Sequence, residues 1–487
     1  MKKMLFLVFG ALCLLITSCS KDAGFDYGQD PPDALLKNGH THGPVVVIPP
    51  SGGNDTYELL TAINAAEPGT VIQLTEGTYT IDYIEVYGFA GTLKGAGRNK
   101  TILIPGNVET VPQINRNLLG TWWRIIGGDV TISDLSFRTG DGSPIDDIDP
   151  WYTNALSCVL AINNYNMDYQ PLNPQPMNFK MTRVDIIGGK LNPDQTGYAG
   201  CDYNVIMSIW LGTDVYWPVG DVILTSGSYN ISDCYLEYVM DGFESFSFGE
   251  NAVLIADRNR IHDCLTGIYC TASYNSRIFL KNNVLSNELV SGIFIEDQDY
   301  GLLGNIHPFK SCEYVVTGNR FFIPEGSVGL EVKDNWGVMH PDIYQPIHSL
   351  IKNNIFSLTG GSTGVSCENS VNAVVRNNCF SGEGKTGVYV DGVMVTDGWT
   401  GEPIGMGEAK NALILGNNFT GLSATNADIV LGEMSSNCTV VGNGKESVID
   451  LGTDNKIVSM KRVYGGYHSG PAIRNDIRLM PPMRHHL

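Results

Sequence analysis

One seven-residue pattern returns six times between Ile255 and Phe419: two apolar residues, two spacers, Asn, any residue, and an apolar residue. It reads IADRNRI, FLKNNVL, VVTGNRF, LIKNNIF, VVRNNCF and LILGNNF, with its amides at Asn259, Asn283, Asn319, Asn354, Asn378 and Asn417. These amides are 24, 36, 35, 24 and 39 residues apart, which suits one coil length plus loop insertions. A unit of that size cannot bury its own apolar side, so successive units must stack on a shared core. The reading is a single solenoid over residues 55–460. The Asn column suggests a ligand ladder at first sight, but a structural role accounts for it better. Asn tolerates left-handed backbone at a tight bend and bonds local backbone, and identical amides can bond along a stack.

Eight to ten residues after each Asn comes a second motif, a Gly or Ala followed by alternating apolar residues: GIYCT, GIFIE, GLEVK, GVSCE, GVYVD and ADIVL. Side chains alternate between the two faces of a strand. With Ile293 and Ile295 pointing inward, Phe294 and Glu296 must point out. The same rule gives two outward columns in successive repeats: Glu244, Tyr269, Phe294, Glu331, Ser366, Tyr389, and then Phe246, Thr271, Glu296, Lys333, Glu368, Asp391. Cys270 and Cys367 fall at the inward position of Ile295 and read as apolar filler.

Upstream, Leu59, Leu60, Ile63 and Ala66 lie on one helical face, Pro68-Gly69 stops the helix, and short alternating strands follow. This segment resembles the capping helix and first coil of right-handed parallel β-helix proteins of the pectate-lyase-like kind. The resemblance implies an all-β, single-domain right-handed parallel β-helix with an N-terminal capping helix, and a polysaccharide as the partner. The N-T-D, G-H-G and R-I-K signatures of polygalacturonase-like members are missing, as is the D-P-H motif of alginate epimerases.

The N-terminus carries Lys2 and Lys3, an apolar run from Met4 to Ile16, and then Leu15-Ile16-Thr17-Ser18-Cys19. The run is too short for a membrane helix and reads as an export signal over residues 1–18. The last five residues resemble a bacterial lipobox, which implies lipidation of Cys19 and a place in the cell envelope, with Ser20 pointing to the outer membrane. The lipid would be the only membrane contact. Residues 19–54 read as a flexible tether and 461–487 as a tail. The 31 Lys and Arg against 51 Asp and Glu give a net charge of −20, which excludes nucleic acid as a partner, since binding it depends on neutralising phosphates. A uronate polymer would need local cations or a bridging metal. The cysteines show no C-x-x-C pair and no disulfide framework.

Long insertions follow several of the second-motif strands and bring Trp336 and Trp399 to one side of the stack. Insertions on one side of a repeat protein usually wall a binding face. The candidate substrate-binding residues are therefore Glu244, Tyr269, Phe294, Glu331, Tyr389, Trp336 and Trp399, facing sugar rings and hydroxyls. The candidate catalytic residues are Lys333, Glu296, Glu368 and Asp391. β-Elimination would use Lys333 as base with Glu296 or Glu368 holding a metal, although flanking carboxylates favour the charged, non-basic form of a lysine. Hydrolysis would use two carboxyls about 5 to 5.5 Å apart or about 6.5 to 9.5 Å apart. No cofactor is otherwise indicated, except that Asp146, Asp147 and Asp149 offer oxygen ligands for Ca²⁺. The competing expectation is a non-catalytic glycan-binding or adhesive protein in which Glu296, Lys333 and Glu368 form only a surface salt-bridge ladder.

Overall fold

Two apolar-alternating strands joined by a tight bend leave a one-sided apolar surface, and parallel pairing of such units closes that surface around an axis. The chain does this. The computed structural model describes residues 43–458 apart from 108–109, 112, 116–117, 141–154, 163–176, 191–202, 213–225, 247–250, 272–275, 298–311, 340–345, 397–401 and 444–445. The export signal, Cys19, the acidic run at Asp146 to Asp149, Trp399 and the C-terminal tail lie outside the described residues.

Each full coil supplies one strand to each of three faces. In one coil these are Val253–Asp257, Arg260–His262 and Thr266–Thr271; in the next they are Arg277–Lys281, Val284–Ser286 and Ser291–Asp297. Every strand pairs in parallel with its counterpart one coil on, so the fold is a right-handed parallel β-helix. Paired strands begin at Val45–Ile48, inside the segment read from sequence as tether, because VVVI extends the ladder of Thr70–Leu74. A short helix, Thr56–Asn64, buries Leu59 and Ile63 against the core.

The inward columns are closely filled. Ile268, Ile293, Leu330, Val365 and Val388 form one, and Cys270, Ile295, Val332, Cys367 and Val390 the next, all with no solvent exposure. Seven cysteines are free and buried, Cys270 and Cys367 among them, so they pack as small apolar groups. Cys379, by contrast, is disulfide-bonded.

The bend between the first and second faces carries the Asn column, fully buried from Asn259 to Asn378 within 1%. Asn259 donates both its backbone N–H and its Nδ2 to Asn283 Oδ1 at 3.0 Å, while Nδ2 also reaches the carbonyl of Ile231 at 2.9 Å. The same three-way bonding repeats from Asn283 through Asn319, Asn354, Asn378 and Asn417, and ends on Asn443. The left-handed residue is the one before each column member, not the column Asn itself: Arg258, Asn282, Asn353 and Asn377 have φ of 55 to 57°. Gly318 and Gly416 take that position in the other coils. The column is a backbone-satisfying spine and not a ligand ladder.

Gly292, Gly329, Gly364 and Gly387 stand near the start of four successive third-face strands because an aromatic ladder from the second face fills the space behind them. Phe321, Phe356, Phe380 and Phe419 stack with ring centroids 4.6, 4.9 and 4.8 Å apart. A Cβ on Gly329 would sit 2.9 Å from the Phe356 ring and 2.7 Å from the Gly364 carbonyl oxygen.

Replacing Asn319 with Ala strips the shared acceptor from the buried backbone N–H and Nδ2 of Asn283, and the donor from the Leu280 carbonyl. Each orphaned group costs about 1–3 kcal/mol. Asn319→Ala should therefore lower unfolding stability by roughly 3 kcal/mol, read as a fall in the urea midpoint. An unchanged midpoint would show that the spine does not hold the coils.

Candidate functional site

The outward columns of the third face set several carboxylates beside aromatic rings over six successive coils. Its register runs Glu244, Tyr269, Phe294, Glu331, Ser366, Tyr389 in one column and Thr271, Glu296, Lys333, Glu368, Asp391 in the other. Residues from sequence positions 244 to 391 thus share one wall, each about 4.8 Å from the next along its column. The opening glycines and the inward apolar pair fix which side chains reach this wall. Trp336 opens the short helix Trp336–Met339 directly after the strand Val328–Asp334.

The carboxylates are not equivalent. Asp391 accepts from Tyr389 Oη at 2.7 Å and from the backbone N–H groups of Gly392 and Met434 at 2.9 Å each. With both oxygens engaged it anchors the strand end and the neighbouring coil, and it has little capacity left for a reacting proton. Glu296 is nearly buried, accepts from Tyr269 Oη at 2.7 Å and meets Asn335 Nδ2 at 3.3 Å. Behind it runs an amide relay: Asn369 Nδ2 donates to Asn335 Oδ1 at 3.0 Å, and Val393 N–H donates to Asn369 Oδ1 at 2.7 Å. Sequence reasoning missed Asn335 as a positioning residue. The signal that could have found it is an Asn just past the acidic column in a chain that uses buried amides elsewhere.

Glu368 is half-buried, and a hydroxyl, Ser366 Oγ, lies 3.3 Å from its Oε1. Glu331 sits at the middle of the wall, flanked in its column by Phe294 and Ser366. Burial pushes its carboxyl up to about 7; the charges of Glu368 and Glu296 add to the rise, and Lys333 opposes it. Its carboxyl can both hold and release a proton near neutral pH, a role the alternation alone did not distinguish from binding. No ion pair among the described residues joins Lys333 to Glu296 or Glu368, so the salt-bridge ladder is not formed.

The aromatic pair departs from a simple sugar platform. Tyr269 and Phe294 stack on each other at 5.1 Å with planes 10° apart. Rings stacked along the axis at nearly the rung spacing turn edges, not open faces, toward the wall. A ligand lying across this pair would meet ring C–H edges and the Tyr269 hydroxyl.

Among the described residues, one trio has ligand atoms close enough for a metal ion: Glu237, His262 and Asp263, within 4.8 Å of one another. It stands on the second face, where Lys190 Nζ already lies 3.4 Å from Asp263. It does not belong to the carboxylate wall.

The raised carboxyl of Glu331 links this wall to stability. From pH about 4.5, the ordinary value, to about 7, the unfolded chain gives up this proton while the folded chain retains it. The term therefore favours the folded state below pH about 4.5 and is lost as pH rises through about 7. Glu331→Gln should flatten that part of the thermal-stability profile. A profile whose slope is the same in the variant would refute the assignment.

Solved structures similar to this chain include the A-module of the Azotobacter vinelandii mannuronan C-5 epimerase AlgE4, at 12% identity and TM-score 0.44, covering 87% of this chain and 97% of that one. A mannuronic acid specific polysaccharide family 6 lyase from human gut microbiota matches at 13% identity and TM-score 0.46, over 85% and 83%. A Yersinia enterocolitica family 28 exopolygalacturonase matches at 10% identity and TM-score 0.43, over 85% and 78%. Likeness of this degree carries no information on activity. No protein-family model matches the sequence, and no curated protein matches it.

Proposed function

We propose that the third-face wall binds an extended polysaccharide and cleaves it by glycoside hydrolysis, with Glu331 as the acid and Glu368 as the partner carboxylate. The observation that supports this reading is the juxtaposition of a protonatable Glu331 with the less engaged Glu368 on the adjacent strand, inside an open strip of carboxylates, hydroxyls and ring edges. A strip of that form offers acceptors to sugar hydroxyls along several coils. Glu296, held by Tyr269 and the Asn335–Asn369 relay, orients substrate from the adjoining column.

Hydrolysis fits better than β-elimination. Elimination needs a base together with positive charge to neutralise a uronate carboxylate. Between Glu244 and Asp391 Lys333 is the one cation of these columns, among Glu244, Glu296, Glu331, Glu368 and Asp391; Arg124, the other cation in register, lies three strands ahead of Glu244. A neutral glycan avoids that repulsion. We further propose a lipid-tethered place in the cell envelope, which the apolar run from Met4 to Ile16 and the lipobox-like stretch ending at Cys19 support.

Incubation of the purified protein with a panel of neutral and acidic polysaccharides should release new reducing ends without the ultraviolet absorbance of unsaturated uronates. Glu331→Gln should lower kcat by about 100-fold or more with thermal stability retained, the usual scale of losing a general acid. In the native protein kcat/KM should fall as pH rises through about 7, as Glu331 loses its proton. Tight binding of a glycan with no reducing ends from any substrate would favour the adhesive reading instead. Unsaturated products would convert the assignment to a lyase.

A further inference from the structure

The first face and the bend that follows it carry a second concentration of charge, of opposite sign. The outward register just before the bend runs Asp257, Lys281, Thr317, Lys352, Arg376. Just past the bend, Arg260 and Arg320 stand exposed on the second face. Asp257 does not compensate them, because its carboxylate already bonds Arg258 and accepts from Asn282 Nδ2 at 2.9 Å. No ion pair among the described residues joins Lys281, Lys352, Arg376, Arg260 or Arg320 to a carboxylate.

Lys352 and Arg376 are direct neighbours on paired strands, about 4.8 Å apart in backbone spacing. Like charges directly opposite each other are destabilising in a sheet. The Arg376 Nε is buried and has no hydrogen-bond partner, and burial together with the Arg376 charge holds the Lys352 ammonium below its usual range. In a chain with 51 acids to 31 bases, a carboxylate beside this pair would have been the commoner outcome. Beside the cations runs an outward apolar column in which Ile255, Phe279, Leu350 and Val374 are half-buried and Val315 is buried.

We propose that this ridge is a binding site for an acidic polysaccharide laid along the helix axis, its carboxylate or sulfate groups on Lys281, Lys352 and Arg376 and its sugar C–H faces on the apolar column. The match is one of direction: Lys281, Lys352 and Arg376 fill three of four successive rungs on one straight line, with Thr317 between the first two, and a linear polymer of acidic sugars likewise carries its charges along a line. Nucleic acid fits poorly, since the ridge neutralises few phosphates. The site lies on a different face from the carboxylate wall and does not depend on what that wall does.

The test is affinity electrophoresis of the purified protein through gels containing sodium polygalacturonate, dextran sulfate or unmodified dextran. The native protein should be retarded by the two acidic polymers and not by dextran, and the effect should weaken with added salt. The double variant Lys352→Gln/Arg376→Gln should weaken acidic-polymer affinity by roughly tenfold or more, about 1.4 kcal/mol for the two contacts together. Its melting temperature should be equal or higher, because a like-charge pair has been removed; if it does not fold, Lys281→Gln alone should still reduce affinity. Glu331→Gln should leave retardation intact, which separates this site from the hydrolytic one. Equal retardation of native and double variant, loss of binding on Lys333→Gln instead, or retention only by phosphatidylglycerol vesicles would each overturn the proposal.

Discussion

The buried amide spine is the constraint on which the rest of the molecule depends. Each column Asn accepts two bonds from the preceding coil and returns one to a backbone carbonyl, in a space with no water to substitute. An orphaned donor there is expensive, so the coils can stack in only one relative position. That position sets the register of the third face as well, since bend and strand belong to the same coil. A slip of one residue would exchange the inward and outward sets, sending Glu331 and Lys333 into the core and Leu330 and Val332 into water. The carboxylate wall is thus a by-product of hydrogen bonds made on the far side of the coil.

Much of this was legible because strand alternation has period two and the repeats supply many copies of it. The inward identity of Ile293 and Ile295, and the neighbours of Glu296 in its column, follow from six short segments that share one pattern. Three things did not follow. The left-handed backbone falls on Arg258 or Asn282, a position that sequence fills with Arg, Asn or Gly, whereas the conspicuous Asn259 and Asn283 beside it are valued for their amides. The occupation of Asp391 by the Met434 backbone depends on how the next coil closes, which no local pattern encodes. The tilt of Tyr269 against Phe294 depends on rotamers, so the sequence shows two aromatics in a column but not whether they offer faces or edges.

Perturbation of Glu331 belongs to the same category. Nothing in GLEVK separates its Glu from the others of the wall; what does is the company of Phe294 on one side and Glu368 and Glu296 diagonally across. Burial and like charge both disfavour the ionised form, and the single nearby cation only partly offsets them. Glu296 and Asp391 are engaged differently, each by donors that point at their oxygens.

A solenoid separates such functions by angle around the axis. The wall gathers acids on the third face, while Lys281, Lys352 and Arg376 gather on the first, and the apolar interior keeps the two columns apart. Neither field can be cancelled by the other at contact distance, so a chain of strongly negative net charge can still present a positive line. Electrostatic steering at long range would oppose an acidic polymer, but screening confines that opposition to about 8 Å at physiological salt. Within that distance the local columns dominate, and their sign is the opposite of the whole molecule's. The coils on either side of the one that holds Glu331 on the third face therefore carry Lys281 and Lys352 on the first, all of them indexed to the amide spine.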